Sequence, residues 1–155
     1  MKTRSVVVGM VLFFVVALGL GLAENANIGT WKLNEAKSKL AAGMPKNTTV
    51  VYAMEGDNIK VTTDGTAADG SPSHTEWVGK FDSKDYALTG DPSADMRSYK
   101  EVNNHTVTLQ NKKDGKVVAS AKVVVSPDGK SRTITITAKD ASGKKVTGKG
   151  VYDKE

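Results

Sequence analysis

The sequence contains no cysteine among its 155 residues, and it has only two histidines and four prolines. Without cysteine, the chain cannot form a disulfide framework or a cysteine-ligated zinc site, and it offers no thiol for lipid attachment. The two histidines also give little scope for acid–base catalysis. His74 is predicted to share an outer strand face with Glu76, and His105 follows a turn, so both are expected at the surface.

Charge is absent from a long run near the start of the chain. Residues 5–22 are apolar after Ser5, follow the basic residues Lys2 and Arg4, and lead to the small residue Ala23. This pattern is typical of a signal peptide cleaved after Ala23, and it predicts a secreted or periplasmic protein. The alternative is an uncleaved anchor, because about 18 apolar residues can just span a bilayer. We expect residues 1–23 to be the signal peptide, with no stable membrane span after cleavage.

The remaining chain lacks a strong charge of either sign. Removing residues 1–23 from 155 leaves 132 residues, with 20 basic and 17 acidic side chains and a net charge of +3. The length fits one domain, residues 24–155. No dense basic run interleaved with aromatic residues is present, so we expect no binding to nucleic acid.

Sequence signatures of catalysis and of metal binding are also missing. No phosphate-binding loop, nucleophile elbow or zinc spacing occurs. Six aspartates crowd neighbouring turns without the regular positions of a calcium loop: Asp64, Asp69, Asp82, Asp85, Asp91 and Asp95. Turn formation accounts for them better than metal binding does. We therefore expect no metal, no cofactor and no enzymatic activity.

The sequence is rich in short alternating runs of β-branched residues, separated by Gly, Asp, Asn and Pro. Ten strands are predicted, at 29–33, 48–55, 58–63, 73–81, 85–90, 96–102, 105–112, 116–126, 131–139 and 144–154. Turns such as Asp114-Gly115 and Asp128-Gly129 are too short for any but antiparallel neighbours. Closing such a meander removes both exposed edges. The sequence therefore predicts an all-β, antiparallel, up-and-down β-barrel of about ten strands.

Periodicity assigns the two faces of these strands and identifies one exception. Ile134, Ile136 and Ala138 alternate with threonines, which predicts an apolar inner face and a polar outer face. Residues 34–46 break the alternation. This segment begins with Asn34 as a possible N-cap and ends near Gly43 and Pro45, so we expect one short helix that covers one end of the barrel.

Two motifs suggest a family. "GTWKL" at 29–33 and "GVYDKE" at 150–155, with the strands between them, resemble the calycins: the lipocalins, the fatty-acid-binding proteins and small secreted bacterial lipocalin-like proteins. The resemblance spans residues 24–155 in length and strand count. It implies that Gly29 allows close backbone approach and that Trp31 plugs one barrel end beneath a cation from Lys154 or Arg132. Alternatively, Trp31 is an ordinary core residue and both cations are solvated.

The chain departs from this family at the site that would bind a fatty acid. The fatty-acid-binding proteins carry an Arg-x-Tyr on the last strand that grips the ligand carboxylate, and the corresponding triplet here is Gly150-Val151-Tyr152. Those proteins also have two portal helices, whereas this chain has room for about one. The family's own mechanism of fatty-acid binding is therefore not expected.

Large side chains are scarce in the predicted barrel. Residues 24–155 contain seven aromatic residues, and the strands use Val, Thr, Ala, Ser and Gly instead. A ten-stranded barrel is wider than the eight-stranded kind that side chains just fill, so either a cavity remains or the sheet flattens into a sandwich. The candidate ligand-binding residues are Tyr52, Trp77, Arg97, Tyr99 and Tyr152. Alternatively, Arg97 points outward and Tyr99 packs in the core.

These features predict a monomeric, non-enzymatic binding protein that holds a small, largely apolar molecule inside the barrel. The alternative is an envelope or stress-related interaction protein with a packed interior. Its outer lysines would then contact an anionic surface or a protein partner: Lys80, Lys100, Lys112, Lys113 and Lys122. An enzyme would need a polar site at the barrel mouth, and paired acid–base groups are not visible there.

Overall fold

The computed structural model describes residues 24–140 and 142–155, so the predicted signal peptide lies outside the described residues. Ten strands follow one another along the chain: β1 Gly29–Leu33, β2 Lys46–Glu55, β3 Asn58–Thr66, β4 Pro72–Gly79, β5 Tyr86–Thr89, β6 Met96–Asn103, β7 Thr106–Lys113, β8 Lys116–Val125, β9 Ser131–Lys139 and β10 Lys145–Lys154. All ten correspond to the strands predicted from the alternation, with bounds that differ by a few residues.

The ten strands form one closed antiparallel barrel. Each strand pairs with its neighbours in the sequence, and β1 pairs with β10 to close the ring, with Trp31 opposite Lys154 and Leu33 opposite Tyr152. Closure leaves no unpaired edge, which a meander of this length would otherwise expose. The predicted fold class is confirmed.

The hairpin between β7 and β8 illustrates how the sequence sets the strand connections. Asp114 and Gly115 both have positive φ, at 50° and 74°. A two-residue turn of this type needs positive φ at both positions, because its twist then matches that of the flanking strands. Aspartate tolerates this conformation and glycine adopts it freely. The Asp-Gly pair therefore holds the two strands in antiparallel register.

The core lies inside the barrel and follows the predicted alternation. Buried apolar residues come from nearly every strand: Trp31, Val50, Tyr52, Val61, Trp77, Leu88, Ala94, Tyr99, Val107, Leu109, Ala121, Val123, Val125 and Tyr152. The threonines Thr133, Thr135 and Thr137 of β9 face outward, because Ile134 and Ile136 pack against the core.

The short helix expected between the first two strands is present, but it is shorter than the segment 34–46. Within the described residues it is one three-residue 3-10 helix, Glu35–Lys37, whose first turn is capped by the Asn34 side chain accepting from the Lys37 amide at 3.2 Å. The chain then becomes extended, and Lys39 exchanges two backbone hydrogen bonds of 2.7 Å with Lys149 of β10. Pairing with the sheet satisfies the backbone groups that a longer helix would have used, so tertiary context overrides the local helical preference. No helix within the described residues is long and apolar enough to cross a membrane.

The segments before β1 and β2 lie at opposite ends of the barrel. Before β1, the Ala26 amide donates to the Asn104 carbonyl at 3.0 Å, and Asn27 is fully buried. We call this the Trp31 end. After the 3-10 helix, Leu40 and Met44 lie over Gly148, where an added Cβ atom would be 2.7 Å from the Met44 sulfur. We call this the Gly148 end.

Candidate functional site

Trp31 occupies the interior at its end of the barrel and is fully buried. Its indole Nε1 donates to the Asn27 carbonyl at 2.8 Å, so the one polar atom of the ring is satisfied. Two cations lie over the ring, with Lys154 Nζ at 5.2 Å and Arg132 Cζ at 4.9 Å from its centroid. Lys154 reaches the ring because β1 and β10 pair directly opposite Trp31.

Arg132 has an unusual position for a charged side chain. It is only 3% exposed, and its guanidinium also lies 4.9 Å from the Tyr52 ring centroid and 5.0 Å from that of Tyr152. Within the described residues its Nε and Nη1 atoms have no hydrogen-bond partner, and no carboxylate forms an ion pair with it. Three aromatic faces therefore supply much of the electrostatic compensation that burial of a cation requires.

Gly29 lies beneath the Lys154 side chain. A Cβ atom added to Gly29 would be 2.6 Å from Lys154 Cε, and the residue has a φ of 131°, which favours glycine. The backbone conformation therefore favours glycine at the start of β1, whereas the flexible end of Lys154 could move away from a larger residue. The four residues that the resemblance assigned to the plug, Gly29, Trp31, Arg132 and Lys154, lie together.

A second cluster of aromatic rings lies on one side of the barrel interior. The Trp77 and Tyr99 ring centroids are 4.7 Å apart, Phe81 and Tyr99 are 5.0 Å apart, and Tyr52 meets Tyr99 at 6.2 Å. The Tyr52 and Tyr99 hydroxyl oxygens are 3.4 Å apart. Trp77 Nε1 donates to the Arg97 carbonyl at 2.9 Å. The cluster therefore forms an apolar wall that carries two hydroxyl groups.

Burial raises the pKa of two interior tyrosines. The pKa of Tyr99 lies well above its ordinary value because burial disfavours the phenolate, and the nearby Tyr52 adds to the effect. Burial raises the pKa of Tyr152 to about 12, although the charge of Arg132 acts in the opposite direction. The Tyr152 hydroxyl donates to the Asn47 carbonyl at 2.8 Å. Both tyrosines are therefore neutral near pH 7 and suited to donate hydrogen bonds.

Arg97 lies on the same inner face of β6 as Tyr99. Its Nε donates to Asn111 Oδ1 at 2.7 Å, and its guanidinium carbon is 5.9 Å from the Tyr99 ring centroid. The side chain is partly exposed. Of the alternative considered from the sequence, the outward Arg97 does not occur, because Asn111, its register partner, holds it on the inner face, whereas Tyr99 does pack in the core.

Several inward positions of β8, β9 and β10 have small side chains. They are Ala119, Ala121, Ala138, Gly148 and Gly150, and they alternate with larger inward residues such as Val123 and Tyr152. Ile134 pairs with Gly150 and Ile136 pairs with Gly148, and both isoleucines are only partly buried although they face inward. Inward residues of a closed barrel keep exposed surface only where no side chain covers them.

The outer face of β6 to β9 carries a concavity of about 600 Å³ that is open to solvent. We call it the outer groove, and its lining residues are Ser83, Ser98, Lys100, Thr108, Leu109, Gln110, Ser120, Ala121, Lys122, Thr135 and Thr137. A smaller concavity of about 170 Å³ is lined by Leu33, Glu35, Ser38, Leu40 and Lys46. Apart from Leu109 and Ala121, the lining of the outer groove is polar.

His74 contacts two carboxylates on the outer face of the sheet. His74 is exposed, and a 2.6 Å hydrogen bond between its Nδ1 and Asp64 Oδ1 raises its pKa above the ordinary value. Its Nε2 lies 3.5 Å from Glu76 Oε1. In the described part of the chain, no three side chains of the types that bind metals come together.

The structure places all five predicted ligand-binding residues in the barrel interior. Tyr52, Trp77 and Tyr99 form one cluster, with Arg97 on one side of it, and Tyr152 lies beside Arg132. Sequence reasoning missed Asn27, because only the turn before β1 brings its carbonyl to the indole of Trp31. It placed Lys100 and Lys122 on the outer face but did not predict the groove between them, although the same alternation that defines the inner face defines its residues.

No known protein-family model matches this chain, and no curated protein sequence matches it.

Proposed function

We propose that this protein is a non-enzymatic binding protein that holds a small, largely apolar molecule inside its barrel. The supporting observation is the partial exposure of Ile134 and Ile136, which face inward beside the glycines of β10. Exposed apolar surface on the inner face of a closed barrel is stabilised when an apolar molecule covers it, by about 25 cal/mol for each Å² removed from water.

The two walls of the barrel suggest how such a molecule would lie. Its apolar part would contact the isoleucines and the Ala and Gly positions of β8 to β10. Its polar end would face the opposite wall, where the remaining N–H groups of Arg97 and one hydroxyl of the Tyr52–Tyr99 pair could donate to it. A ligand pocket is usually apolar with a few polar groups that set the orientation, and these walls fit that description.

Entry would take place at the Gly148 end. The Trp31 end is blocked by the buried indole and by the hydrogen bond from Ala26 to Asn104. At the Gly148 end the cover consists of Leu40 and Met44 on an irregular segment, which makes fewer backbone hydrogen bonds than the strands do. Segments of that kind open at lower free-energy cost than paired strands.

Thermal unfolding in the presence of single compounds tests the proposal. The panel comprises a long-chain alcohol, a long-chain fatty acid and the dye 1-anilinonaphthalene-8-sulfonate. A ligand at 100 times its Kd stabilises the folded state by roughly 2.7 kcal/mol, which raises the melting temperature by several degrees. If no compound in a broader apolar panel changes the melting temperature or the tryptophan emission, the proposal fails.

A matched pair of variants assigns the site to the interior. Ala138→Phe adds a ring to the inner face, where it would occupy the space beside Ile136, so the ligand-induced stabilisation should be lost. Thr147→Phe adds the same ring to an exposed outer position of β10 and should leave the stabilisation unchanged. Equal responses from the two variants would place binding outside the barrel.

The proposal also covers the family, the location and the oligomeric state of the protein. The closed barrel, the Gly-x-Trp at its start and the cations over Trp31 are consistent with a lipocalin-like member of the calycins. The apolar leader at residues 5–22 is consistent with secretion or a periplasmic location. We expect the protein to act as a monomer, because the closed barrel leaves no strand edge for pairing between copies.

A further inference from the structure

The outer groove is built from two rows of side chains that cross four neighbouring strands. In the first row, register pairing aligns Ser98, Gln110, Ser120 and Thr137. In the second row, it aligns Lys100, Thr108, Lys122 and Thr135. The same strands send Tyr99, Leu109 and Ala121 inward between these rows. The outer groove is therefore a regular grid of polar groups on a rigid sheet.

Seven of the eight side chains of this grid are exposed or partly exposed, and Ser98 is the buried one. Within residues 24–140 and 142–155, neither Lys100 nor Lys122 forms an ion pair, whereas Lys112 nearby binds Asp85 at 2.7 Å. Lys100 and Lys122 lie two strands apart, with Thr108 between them. Since neighbouring strands are about 4.8 Å apart, the two backbone positions are roughly 10 Å apart.

The chemistry of the lining narrows the class of ligand. The eight side chains of the grid offer five hydroxyl groups, one amide and two ammonium groups, and no aromatic or aliphatic side chain. Hydroxyl and amide groups both donate and accept hydrogen bonds. A ligand that matches them carries many hydroxyl groups of its own, together with negative charges for the two lysines.

Other classes of partner fit this surface less well. Protein interfaces concentrate aromatic residues, Met and Arg at their centre and are depleted in Lys and Ser. A peptide strand cannot add to the sheet, because the closed barrel has no free edge. A lipid surface would meet a recess whose apolar lining residues, Leu109 and Ala121, are buried and point inward, so they cannot anchor it. The concavity of about 600 Å³ is, however, within the usual range for ligand pockets.

The geometry points to a second binding site, in the outer groove, for an acidic oligosaccharide. The carboxylates of the sugar chain pair with Lys100 and Lys122, and its hydroxyl groups hydrogen-bond with the serine, threonine and glutamine side chains between them. This site lies on the opposite face of the sheet from the proposed apolar site. Binding in the outer groove therefore does not depend on whether the interior binds a ligand.

Calorimetric titration with tetragalacturonate tests the site, and the fully methyl-esterified tetramer serves as the uncharged control. The wild-type chain should bind the acid form, more weakly as salt is added, and should bind the ester at least several times less tightly. Lys100→Gln with Lys122→Gln should weaken binding of the acid form about tenfold. Lys116→Gln with Lys145→Gln removes two exposed lysines elsewhere and should leave it unchanged.

A second variant separates sugar recognition from charge alone. Thr108→Val with Thr135→Val removes two hydroxyl groups from the grid without changing the net charge, and should also weaken binding of the tetramer. Absence of tetramer binding, or equal weakening of binding in both lysine double variants, overturns the proposal.

A last experiment measures binding of the protein to vesicles of phosphatidylglycerol and phosphatidylcholine. If they bind, lose binding in Lys100→Gln with Lys122→Gln, and are unaffected by the threonine variant, the groove is a membrane contact and the oligosaccharide assignment is wrong. Circular dichroism confirms that each variant is folded.

Discussion

Individual residues at the Trp31 end show how a barrel can be closed without disulfides or a large core. Trp31 is held by one hydrogen bond, from its indole to the Asn27 carbonyl, and by cations on its ring. Arg132 is shared among three rings, so one side chain links β1, β2 and β10. A cation over an aromatic ring stabilises by roughly 0.5 to 2 kcal/mol, depending on how far it is desolvated. These contacts therefore contribute measurably to the free energy of unfolding.

Replacing Trp31 with alanine should lower the free energy of unfolding by about 3 to 5 kcal/mol, because a fully buried ring is lost and a cavity is left. Urea denaturation followed by circular dichroism measures the change. Met54→Ala is the control, because Met54 lies on a strand but is 56% exposed, and its loss should cost under about 1 kcal/mol. A comparable small effect for Trp31→Ala would mean that Trp31 does not plug the barrel.

The buried tyrosines should make stability depend on alkaline pH. Tyr152 has a pKa of about 12 in the folded protein, compared with an ordinary value of 10.0, so the unfolded chain loses this proton first. Its contribution to stability is complete below about pH 10 and is lost as the pH rises towards about 12. Denaturation at a series of pH values should show the decline, and Tyr152→Phe should make it shallower. An unchanged slope in that variant would contradict the assignment to Tyr152.

At the scale of single elements, the hairpins are specified locally and the segment between β1 and β2 is not. Each turn has residues that tolerate positive φ, and the flanking alternation selects the register. Residues 38–45, in contrast, depend on partners far away in the sequence. Lys39 pairs with Lys149, and Met44 lies over Gly148. The local pattern of Ala and Lys therefore cannot predict these long-range contacts.

The turn between β7 and β8 provides a test of local specification. Gly115→Ala should lower the free energy of unfolding by roughly 1 to 2 kcal/mol, because alanine is strained at a φ of 74°. An added Cβ atom there would meet nothing within 4 Å, so the effect measures backbone strain alone. Asp114→Asn should be nearly neutral, since asparagine also tolerates positive φ. The denaturation midpoint should therefore shift in the first variant only; equal midpoints would show that this turn is not strained.

At the scale of the whole molecule, closure between β1 and β10 joins the two ends of the described chain into one sheet. Closure gives the sheet an inner and an outer surface, and each strand contributes alternate side chains to both. The inner surface carries the aromatic cluster and the partly exposed isoleucines, and the outer surface carries the polar grid. The two proposed sites use opposite faces of the same strands.

An engineered disulfide tests this closure directly, because the chain has no cysteine of its own. Lys32 and Asp153 are register partners on the outer face of β1 and β10. Oxidation of the double variant Lys32→Cys with Asp153→Cys should raise the free energy of unfolding by roughly 2 to 4 kcal/mol, because it closes a long loop in the unfolded chain. Reduction should reverse the effect. Lys32→Cys with Lys116→Cys should form no intramolecular disulfide, and failure of the first pair to form one would contradict the pairing of β1 with β10.

The alternation of the sequence predicts which residues of the candidate site face inward. It does not predict which of those residues contact one another. Period two places Tyr99 and Arg97 on one face, and the Gly-x-Trp resemblance draws attention to Trp31. The hydrogen bond between Arg97 and Asn111 depends on the register of β6 with β7. Period two over the predicted strand 73–81 also places Phe81 on one face with Trp77, and the two rings do stack, although β4 itself ends at Gly79.

The sequence by itself determined the ten strands, their antiparallel order and which residues face inward, because turn residues and side-chain alternation act over a few neighbouring positions. Only the tertiary structure decided that the ring closes with Trp31 opposite Lys154, that Arg132 is buried among three rings, and that Lys39 joins β10 instead of a helix. Those outcomes depend on residues separated by about a hundred positions. They are set by the total of packing and hydrogen bonding across the barrel, which no local pattern encodes.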